Sequence, residues 1–582
     1  MNIDSIERLV KSEGEFAAKR LEKWAEVIPD KTFFFYGEEN RHISFKEFNQ
    51  LTNSIAHNLI SIGISKGDRV SVFLKNPVAT TLTMFSIWKV GAVYCPVNTS
   101  YMGKLLAYQI NDIKSKALIT ERNMVSLVND IKDDIENLLV VVYNPQKDEH
   151  DYNSETAKIK LVKKFKEILF ESLLLGKTAN LETNLTFKDI ANIIYTSGTT
   201  GPAKGVVQSH RYVNTYIAFW RNFTNQEDVI YSDIPLYHIG GAFQNIVRAA
   251  WVGCTVAVWD KFSPNEFWNR IKLCGATNAI LLDVMIPWLL NAKETPNDRI
   301  NTLNKVYMQP LPMHHNAIAR RFGFDFVIAG YGQTEAGNGF AGIIEELDED
   351  EGTPHELYNG YSHEEIRAIG RKINATIVQG EQEFKKGFMG KPSFYLQAVV
   401  LNDNDEECQP KQVGQICFRS YLPYTIIDEY YGKPEATVKK FKNFWFHSGD
   451  AGFVDENGYF YFLDRISGCI RRRGENISSY QIEDIINGHP SVDCCAAFPI
   501  SAKEGEEDDI VVFIVSRKGE DLEEKNLVQW VKGKMPKFMW PQYVRFVNDL
   551  PRTPTNKILK FKLREMILKE LDAKDHGLQN KN

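Results

Sequence analysis

The stretch Tyr195–Gly205, YTSGTTGPAKG, constrains this chain more than any other. It follows an apolar, β-prone run, Ala191-Asn192-Ile193-Ile194-Tyr195, and then brings hydroxyls, glycines, a Gly-Pro turn and a lysine together. Glycine takes backbone angles that other side chains resist, so successive amides can point into one concavity. Converging N–H groups make an anion nest. Gly198 and Gly201 supply that freedom. Thr196, Ser197, Thr199 and Thr200 add hydroxyl donors, and Lys204 adds a point charge. The physical reading is a loop that holds a polyphosphate at the end of a buried strand. A flexible polar turn is the bland alternative, and the spacing through Lys204 and Gly205 argues against it. The loop is not a Walker A, whose lysine precedes a Ser or Thr that holds magnesium; here Gly205 follows Lys204.

The surrounding pattern sets the fold class. Ser44-Phe45-Lys46-Glu47 has the form of a capping box, and Phe45, Phe48, Leu51, Ile55 and Leu59 follow at helical spacing. Strands are expected at Val70–Leu74, Ala92–Val97, Ala117–Ile119 and Leu138–Tyr143, with a helix over Val78–Val90 and another between the last two strands. Apolar strands alternating with helices predict an α/β, doubly wound parallel sheet. A second α/β block spans Asp189 to about Phe326, and Gln397–Tyr424 looks β-rich. After Asp464-Arg465 the pattern restarts as a small α+β unit: helices near Tyr480–Asn487 and Glu523–Lys532, strands near Val492–Phe498, Ile510–Val515 and Tyr543–Phe546, and a basic helix near Lys557–Leu571. The expected domains are 1–465, 466–572 and a polar tail at 573–582.

Two stretches stand apart. Lys158–Leu175 is basic and then apolar, the pattern of an amphipathic helix on an anionic membrane surface or, more commonly, of a solvated helix with one face on the core. Asn338–Phe388 is long and polar, with an acidic run at Glu345–Glu351; such a run usually marks a solvated, mobile loop, and beside a site it can be a lid.

Composition narrows the class of function. With 43% hydrophobic and 25% charged residues the 582-residue chain can bury a large core. A net charge of -6 argues against a nucleic-acid binder that relies on bulk electrostatics. The eight cysteines form no C-x-x-C and no zinc-spaced cluster, so a reducing, cytoplasmic setting is expected. The first residues have no apolar signal core, and no apolar run is long enough to span a bilayer.

Four separated motifs then match one family. YTSGTTGPAKG at Tyr195, YGQTE at Tyr331, HSGD ending at Asp450 with Asp464-Arg465, and PRTPTNK ending at Lys557 resemble the adenylate-forming enzymes: acyl-CoA synthetases, luciferases and peptide-synthetase adenylation domains. GDRV at Gly67 and KVGAVYCPVN at Lys89 match as well, so the resemblance covers nearly the whole chain. It implies two half-reactions. A small-molecule carboxylic acid attacks the α-phosphate of ATP to give acyl-AMP, and the thiol of coenzyme A then displaces AMP. Pre-positioned charge does most of such catalysis.

The resemblance also implies roles. Ser197, Gly198, Thr199, Thr200 and Lys204 cradle the β- and γ-phosphates. Tyr331, with Gly332 beside it, lies against adenine, and Thr334 bonds the α-phosphate. Glu335, with Thr196, holds Mg2+. Asp450 accepts the ribose hydroxyls, Arg465 supports the ribose, and Lys557 stabilises the charge of the first step. Each residue has a bland rival: core packing for Tyr331, a helix-start carboxylate for Glu335, a turn residue for Asp450 and a helix-end cation for Lys557. The acid pocket is expected near Pro235-Leu236-Tyr237-His238-Ile239-Gly240-Gly241, with Phe243, Asn245, Met308 and Gln309 as further lining; His238 gates it or is a structural histidine.

Departures from the family pattern carry information. Tyr307-Met308-Gln309 stands where Gly-Gly-Ala or similar is usual, and a bulky Met308 would shorten the acyl tunnel. The carnitine/crotonobetaine-CoA ligase-like branch departs there too, and a quaternary-ammonium substrate would want an aromatic cage, for which Trp220, Tyr237 and Phe243 are candidates. Ser467 occupies the hinge position. Arg471-Arg472-Arg473-Gly474 precedes Glu475-Asn476 and is either a solvated basic loop or a grip on the CoA phosphates. Two rival functions are adenylation for a carrier-protein thiol and a non-catalytic nucleotide sensor. The presence of Lys557, Glu335 and Asp450 together weighs against the second.

Overall fold

Helix Pro77–Val90 shows how the first sheet is built. Asn76 caps it by accepting the Ala79 amide, Pro77 opens its first turn, and Gly91 ends it at φ 80. Every residue of the helix is buried. Its Trp88 Nε1 donates to Ala191 O and Asn192 Oδ1, at 3.2 and 3.1 Å, tying the helix to the strand that feeds the predicted phosphate loop. The computed structural model describes residues 2–196, 203–282, 285–466, 470–472, 475–477, 479–502, 508–520, 522–532, 534–535, 537–552 and 558–579. They pack as two units, residues 1–398 with 418–446, and residues 399–417 with 447–582.

The first unit holds two sheets. One has seven strands in the order Lys166–Leu169, Leu139–Tyr143, Ala117–Glu121, Arg69–Phe73, Val93–Pro96, Ile190–Thr196 and Lys204–Ser209. All neighbours are parallel except the last pair, an antiparallel hairpin closed by the predicted phosphate loop. The other sheet has a parallel centre, Phe326–Gln333, Lys305–Gln309, Asn278–Leu282, Val229–Ser232, Thr255–Val258 and Thr32–Tyr36. Antiparallel strands Gly337–Glu345 and Arg41–Ser44 flank it. The expected doubly wound α/β class is what the chain adopts, with helix Phe45–Ser61 capped by Ser44 as the sequence pattern requires.

Two expectations are corrected here. Lys158–Leu175 is not one amphipathic helix. Lys166–Leu169 is a strand parallel to Leu139–Tyr143, followed by a short helix, Phe170–Leu173. Leu161, Phe165, Phe170 and Leu173 are buried in the core, and the free edge of the sheet outcompetes the helical spacing. The basis for a peripheral membrane contact goes with the helix. Nor is Asn338–Phe388 a solvated loop. Gly337–Glu345 is a buried strand and His363–Ile373 a helix with a full Ser362/Glu365 capping box. The acidic run divides: Glu345 and Glu346 are buried, and Asp348–Glu351 lie at the surface. His363 explains the burial, since its Nδ1 bonds Glu345 Oε1 at 2.7 Å and its Nε2 bonds Asp325 Oδ1 at 2.9 Å. Arg367 adds a second cation on Glu345, and His315 pairs with Glu346.

In the second unit, Trp445–Val454 and Phe460–Arg465 pair antiparallel with Asp450 opposite Arg465. Beyond them a hairpin, Ile470–Arg472 with Glu475–Ile477, precedes helix Ser479–Asn487. A three-stranded sheet follows in the order Val492–Ser501, Asp508–Ser516, Tyr543–Phe546. Ile482, Ile486, Ile510, Val512, Ile514 and Leu527 form its core. The closing helix runs Lys560–Gln579, further than the Lys557–Leu571 pattern and into the stretch expected to be tail.

Candidate active site

The mouth of the predicted phosphate loop is held from three sides. Thr196 pairs with Lys204 across the hairpin, so the loop starts and ends at one point. The Tyr195 hydroxyl donates to Asp112 Oδ2 at 2.6 Å, and Lys433 Nζ donates to Asp112 Oδ1 at 2.7 Å. The Tyr108 hydroxyl donates to Ala203 O at 2.9 Å. Burial and the Asp112 carboxylate push the Tyr195 phenol far above its ordinary pKa, so it stays a donor. Gly205 is required by packing, since a Cβ there would lie 2.6 Å from Ile193 Cγ2. Ser197, Gly198, Thr199, Thr200 and Gly201 lie outside the described residues.

A strap at 427–431 joins this loop to the YGQTE motif. The Tyr431 amide donates to Gly205 O at 2.8 Å, and the Ile427 amide donates to Glu335 O at 2.7 Å. The Tyr430 hydroxyl donates to Glu335 Oε1 at 2.8 Å, while Lys204 Nζ stands 5.6 Å from the centre of the Tyr430 ring. The Thr334 carbonyl accepts two bonds, from Gln208 Nε2 at 3.0 Å and the Tyr212 hydroxyl at 2.9 Å. Lys204 and Glu335, predicted from two separate motifs, thus both meet the strap, and Thr334 beside Glu335 is held by Gln208 and Tyr212. Tyr430 is the residue that sequence reasoning missed; its only signal is a tyrosine pair, Tyr430-Tyr431, before Gly432-Lys433-Pro434. Burial and the neighbouring Glu429 raise the Asp428 pKa to about 6.

Strand Phe326–Gln333 ends in this site, and its two faces differ. Residues of a strand alternate between faces. Ala329 and Tyr331 lie on one face, with the Tyr331 ring stacked at 6.0 Å on Phe418 and 5.8 Å from Phe340. Ile328, Gly330 and Gly332 lie on the other. A bulge at Gly339 separates the Tyr331–Phe340 and Gly332–Asn338 pairs. A Cβ at Gly339 would lie 2.8 Å from the Phe418 ring, so the missing side chain admits that ring. Such a bulge re-aims the strand where its motif begins. Paired strand Lys305–Gln309 alternates likewise: Met308 falls on the Tyr331 face, and Tyr307 and Gln309 on the glycine face.

The acid-pocket candidates follow strand Val229–Ser232. The His238 ring lies 4.5 Å from that of Tyr237, and its amide donates to Pro235 O. Gly240 has open space where a Cβ would stand, whereas at Gly241 a Cβ would meet Ile234 O at 2.6 Å. A π-helix, Gly240–Val247, carries Phe243, which is buried between Trp88 and Tyr216, and Gln244, which accepts from Asn338 Nδ2 at 3.2 Å. Trp220, Tyr237 and Phe243 do not stack on one another: Trp220 packs against Tyr307 at 4.9 Å and Tyr237 against His238. The segment from Pro235 to Gly241 follows the carboxyl end of parallel strand Val229–Ser232, the place where open α/β sheets bind ligands.

In the second unit, the buried Asp450 carboxylate lies 3.1 Å from Arg465 Nη1, and the Asp450 amide donates to Ser448 Oγ. Asp464 accepts from the Ser479 amide and hydroxyl at the start of helix Ser479–Asn487. Lys560 bridges Ser479 and Glu483. Arg471 is opposite Asn476 in the hairpin backbone. Arg473, Gly474 and Lys557 lie outside the described residues.

Comparison with known proteins agrees with these motifs. Residues 21–431 match the family described as AMP-binding enzyme, and residues 481–557 match the AMP-binding enzyme C-terminal domain. The crotonobetaine/carnitine–CoA ligase of Salmonella paratyphi A is 28% identical over 554 residues, covering 93% of this chain and 97% of that protein. The corresponding ligase of Salmonella arizonae is 27% identical, covering 95% and 99%. Among solved structures, ATP-bound MatB of Rhodopseudomonas palustris superposes with a TM-score of 0.72 at 22% identity, over 93% of this chain and 98% of that one. O-succinylbenzoate coenzyme A synthetase of Bacillus subtilis, in complex with ATP and magnesium, gives 0.71 at 21%, over 94% and 99%. The chain belongs to the AMP-binding enzymes, the adenylate-forming family whose motifs it carries.

Proposed function

We propose that this chain is an AMP-forming acid–CoA ligase acting in two half-reactions. The observation that carries the proposal is the strap that links Lys204 and Glu335 at the mouth of the hairpin loop, with the Thr334 carbonyl held beside them by Gln208 and Tyr212. In the first half-reaction a carboxylate oxygen bonds the α-phosphorus of ATP and pyrophosphate leaves. In the second, the CoA thiolate bonds the acyl carbon and AMP leaves.

Ser197, Gly198, Thr199, Thr200, Gly201 and Lys204 hold the β- and γ-phosphates, and Thr334 orients the α-phosphate. Tyr331 and Gly332 receive adenine, and Asp450 with Arg465 receives the ribose. Lys557 stabilises the negative charge of the first step, and Arg471, Arg473 and Gly474 serve the CoA step. The domain from 466 to 572 changes position between steps. Glu335 and Thr196 would hold Mg2+, which when bound neutralises phosphate oxygens. A single carboxylate beside hydroxyls suits an ion that takes its remaining ligands from phosphate and water. Among the described residues no cluster of three His, Cys, Asp or Glu groups competes for it.

The acid sits on the glycine face of strand Phe326–Gln333, near His238, Gly240, Gln309 and the Gln244–Asn338 bond. The test is AMP release from ATP over a panel of acids, from acetate through carnitine and aryl acids to long fatty acids, with and without CoA. CoA-dependent release with one class of acid is expected. Acid-dependent pyrophosphate exchange that CoA does not advance would favour a carrier-protein thiol, and ATP binding without turnover would favour a sensor.

A further inference from the structure

One aromatic residue stands over the bare backbone of the glycine face. Tyr307 pairs with Ile328 across parallel strands, and its side chain leans along the face toward Gly330. A Cβ on Gly330 would lie 3.1 Å from the Tyr307 hydroxyl and 3.4 Å from its Cε2. The ring is backed by Trp220 at 4.9 Å and by an apolar cluster that includes Phe219, Ile280, Ile328 and Ile343. The cavity between Trp220, Arg248, Lys305, Ile328 and Ile343 is about 10 Å³, room for a single water. Lys305 is spent on the buried Asp228 at 3.0 Å.

The hydroxyl itself is unmatched. Tyr307 is 8% exposed, and its hydroxyl has no hydrogen-bond partner among the described residues. Burial raises its pKa, so it remains a donor. The oxygen is not among the fully buried polar atoms that lack a partner, so it is reachable by a bound molecule. Asn338 beside this face is engaged: its Nδ2 donates to Tyr216 O at 2.6 Å and to Gln244.

We propose that Tyr307 closes the inner end of the acid pocket and donates its hydroxyl to the bound acid, so that this chain adenylates compact acids carrying a hydrogen-bond acceptor beyond the carboxylate. The proposal rests on the reading that the glycine face holds the acid.

Butyrate, pentanoate, 4-hydroxybutyrate and decanoate separate its two parts, with CoA-dependent AMP release as the readout. The wild-type chain is expected to prefer 4-hydroxybutyrate to pentanoate and to reject decanoate. Tyr307→Phe should lower the first preference by about 10-fold and keep the length limit; Tyr307→Gly should raise the decanoate-to-butyrate ratio by about 10-fold or more. Unchanged ratios in both variants would overturn the proposal. Silence of the wild-type chain with all four acids, while another acid of the wider panel is adenylated, would overturn the acid class proposed here; silence with the whole panel would sink the ligase reading. Pocket depth can still be read then from melting-temperature shifts with butyryl- and decanoyl-sulfamoyl adenosine, non-reactive mimics of the acyl-adenylate. A larger shift by the decanoyl compound in the wild-type chain would overturn the role of Tyr307 on its own.

Discussion

The two faces of strand Phe326–Gln333 differ in what they determine. On one, Tyr331 sits against Phe340 and Phe418 beside a bulge, and the same strand runs out into Thr334 and Glu335. That face is built from motif residues, and it suits a ligand that every member of the family shares. On the other face two glycines leave the backbone bare, and Tyr307 from the next strand fills part of the gap. In the function proposed above, that face is where one acid is told from another. A single strand with a period of two can therefore keep a common chemistry while its opposite side changes.

The sharpest way to break this division is to remove charge from the common side. Lys557→Ala should lower acid-dependent pyrophosphate exchange by roughly 100-fold or more, the scale of losing one charge-stabilising donor. A preformed acyl-adenylate should still react with CoA at near the wild-type rate. Equal loss of both steps would contradict the division of labour. Glu335→Gln should cost about 100-fold in kcat/KM for every acid alike, with a raised Mg2+ requirement. A loss confined to some acids would place Glu335 on the wrong side of the comparison.

Smaller changes sharpen it. Tyr430→Phe removes the hydroxyl that positions Glu335. A hydrogen bond to a charged group contributes about 1.5 kcal/mol or more, so the Mg2+ concentration for half-maximal rate should rise roughly 10-fold with the order of acid preference unchanged. The smallest effect is on stability, at the far end of the strand. His363, between Asp325 and Glu345, has its pKa raised to about 9, chiefly by those carboxylates against the opposing effect of burial. Glu345 is held down at about 2 by His363, Arg367 and Gln379, again against burial. A raised histidine stabilises the fold fully below its unfolded pKa and loses that contribution as pH rises through the folded value; a depressed carboxylate loses its contribution as pH falls. The denaturation midpoint should therefore decline from about pH 6.5 toward pH 9, and less steeply in His363→Gln. An equal slope in both proteins would show that His363 is not the group responsible.

Much of this was legible before the structure. Strands at Ala117, Leu138 and Tyr543 and the helix after Asn76 follow from apolar periodicity and caps. The residues around the strap were named from their motifs, because glycine, hydroxyl and lysine at fixed spacing have few other uses. Failures came where long-range partners decide. The lysines of 158–166 suggested a helix, but an open sheet edge took Lys166–Leu169. The acidic run suggested a mobile loop, but His363, His315 and Arg367 pair with its first two residues. Tyr430 and Tyr307 act through packing between distant segments, so neither stands out in a linear pattern; the departure at 307–309 drew attention to this strand, and alternation then separates Tyr307 from Met308.

The most direct test of the two-faced strand is to titrate Tyr331→Ala and Tyr307→Gly by calorimetry with a non-hydrolysable ATP analogue and Mg2+. Tyr331→Ala should weaken nucleotide binding by about 10-fold or more, the scale of a lost aromatic stacking contact. Tyr307→Gly should bind the analogue as the wild-type chain does while its acid preference moves. Equal weakening in both variants would contradict the separation of nucleotide and acid between the two faces.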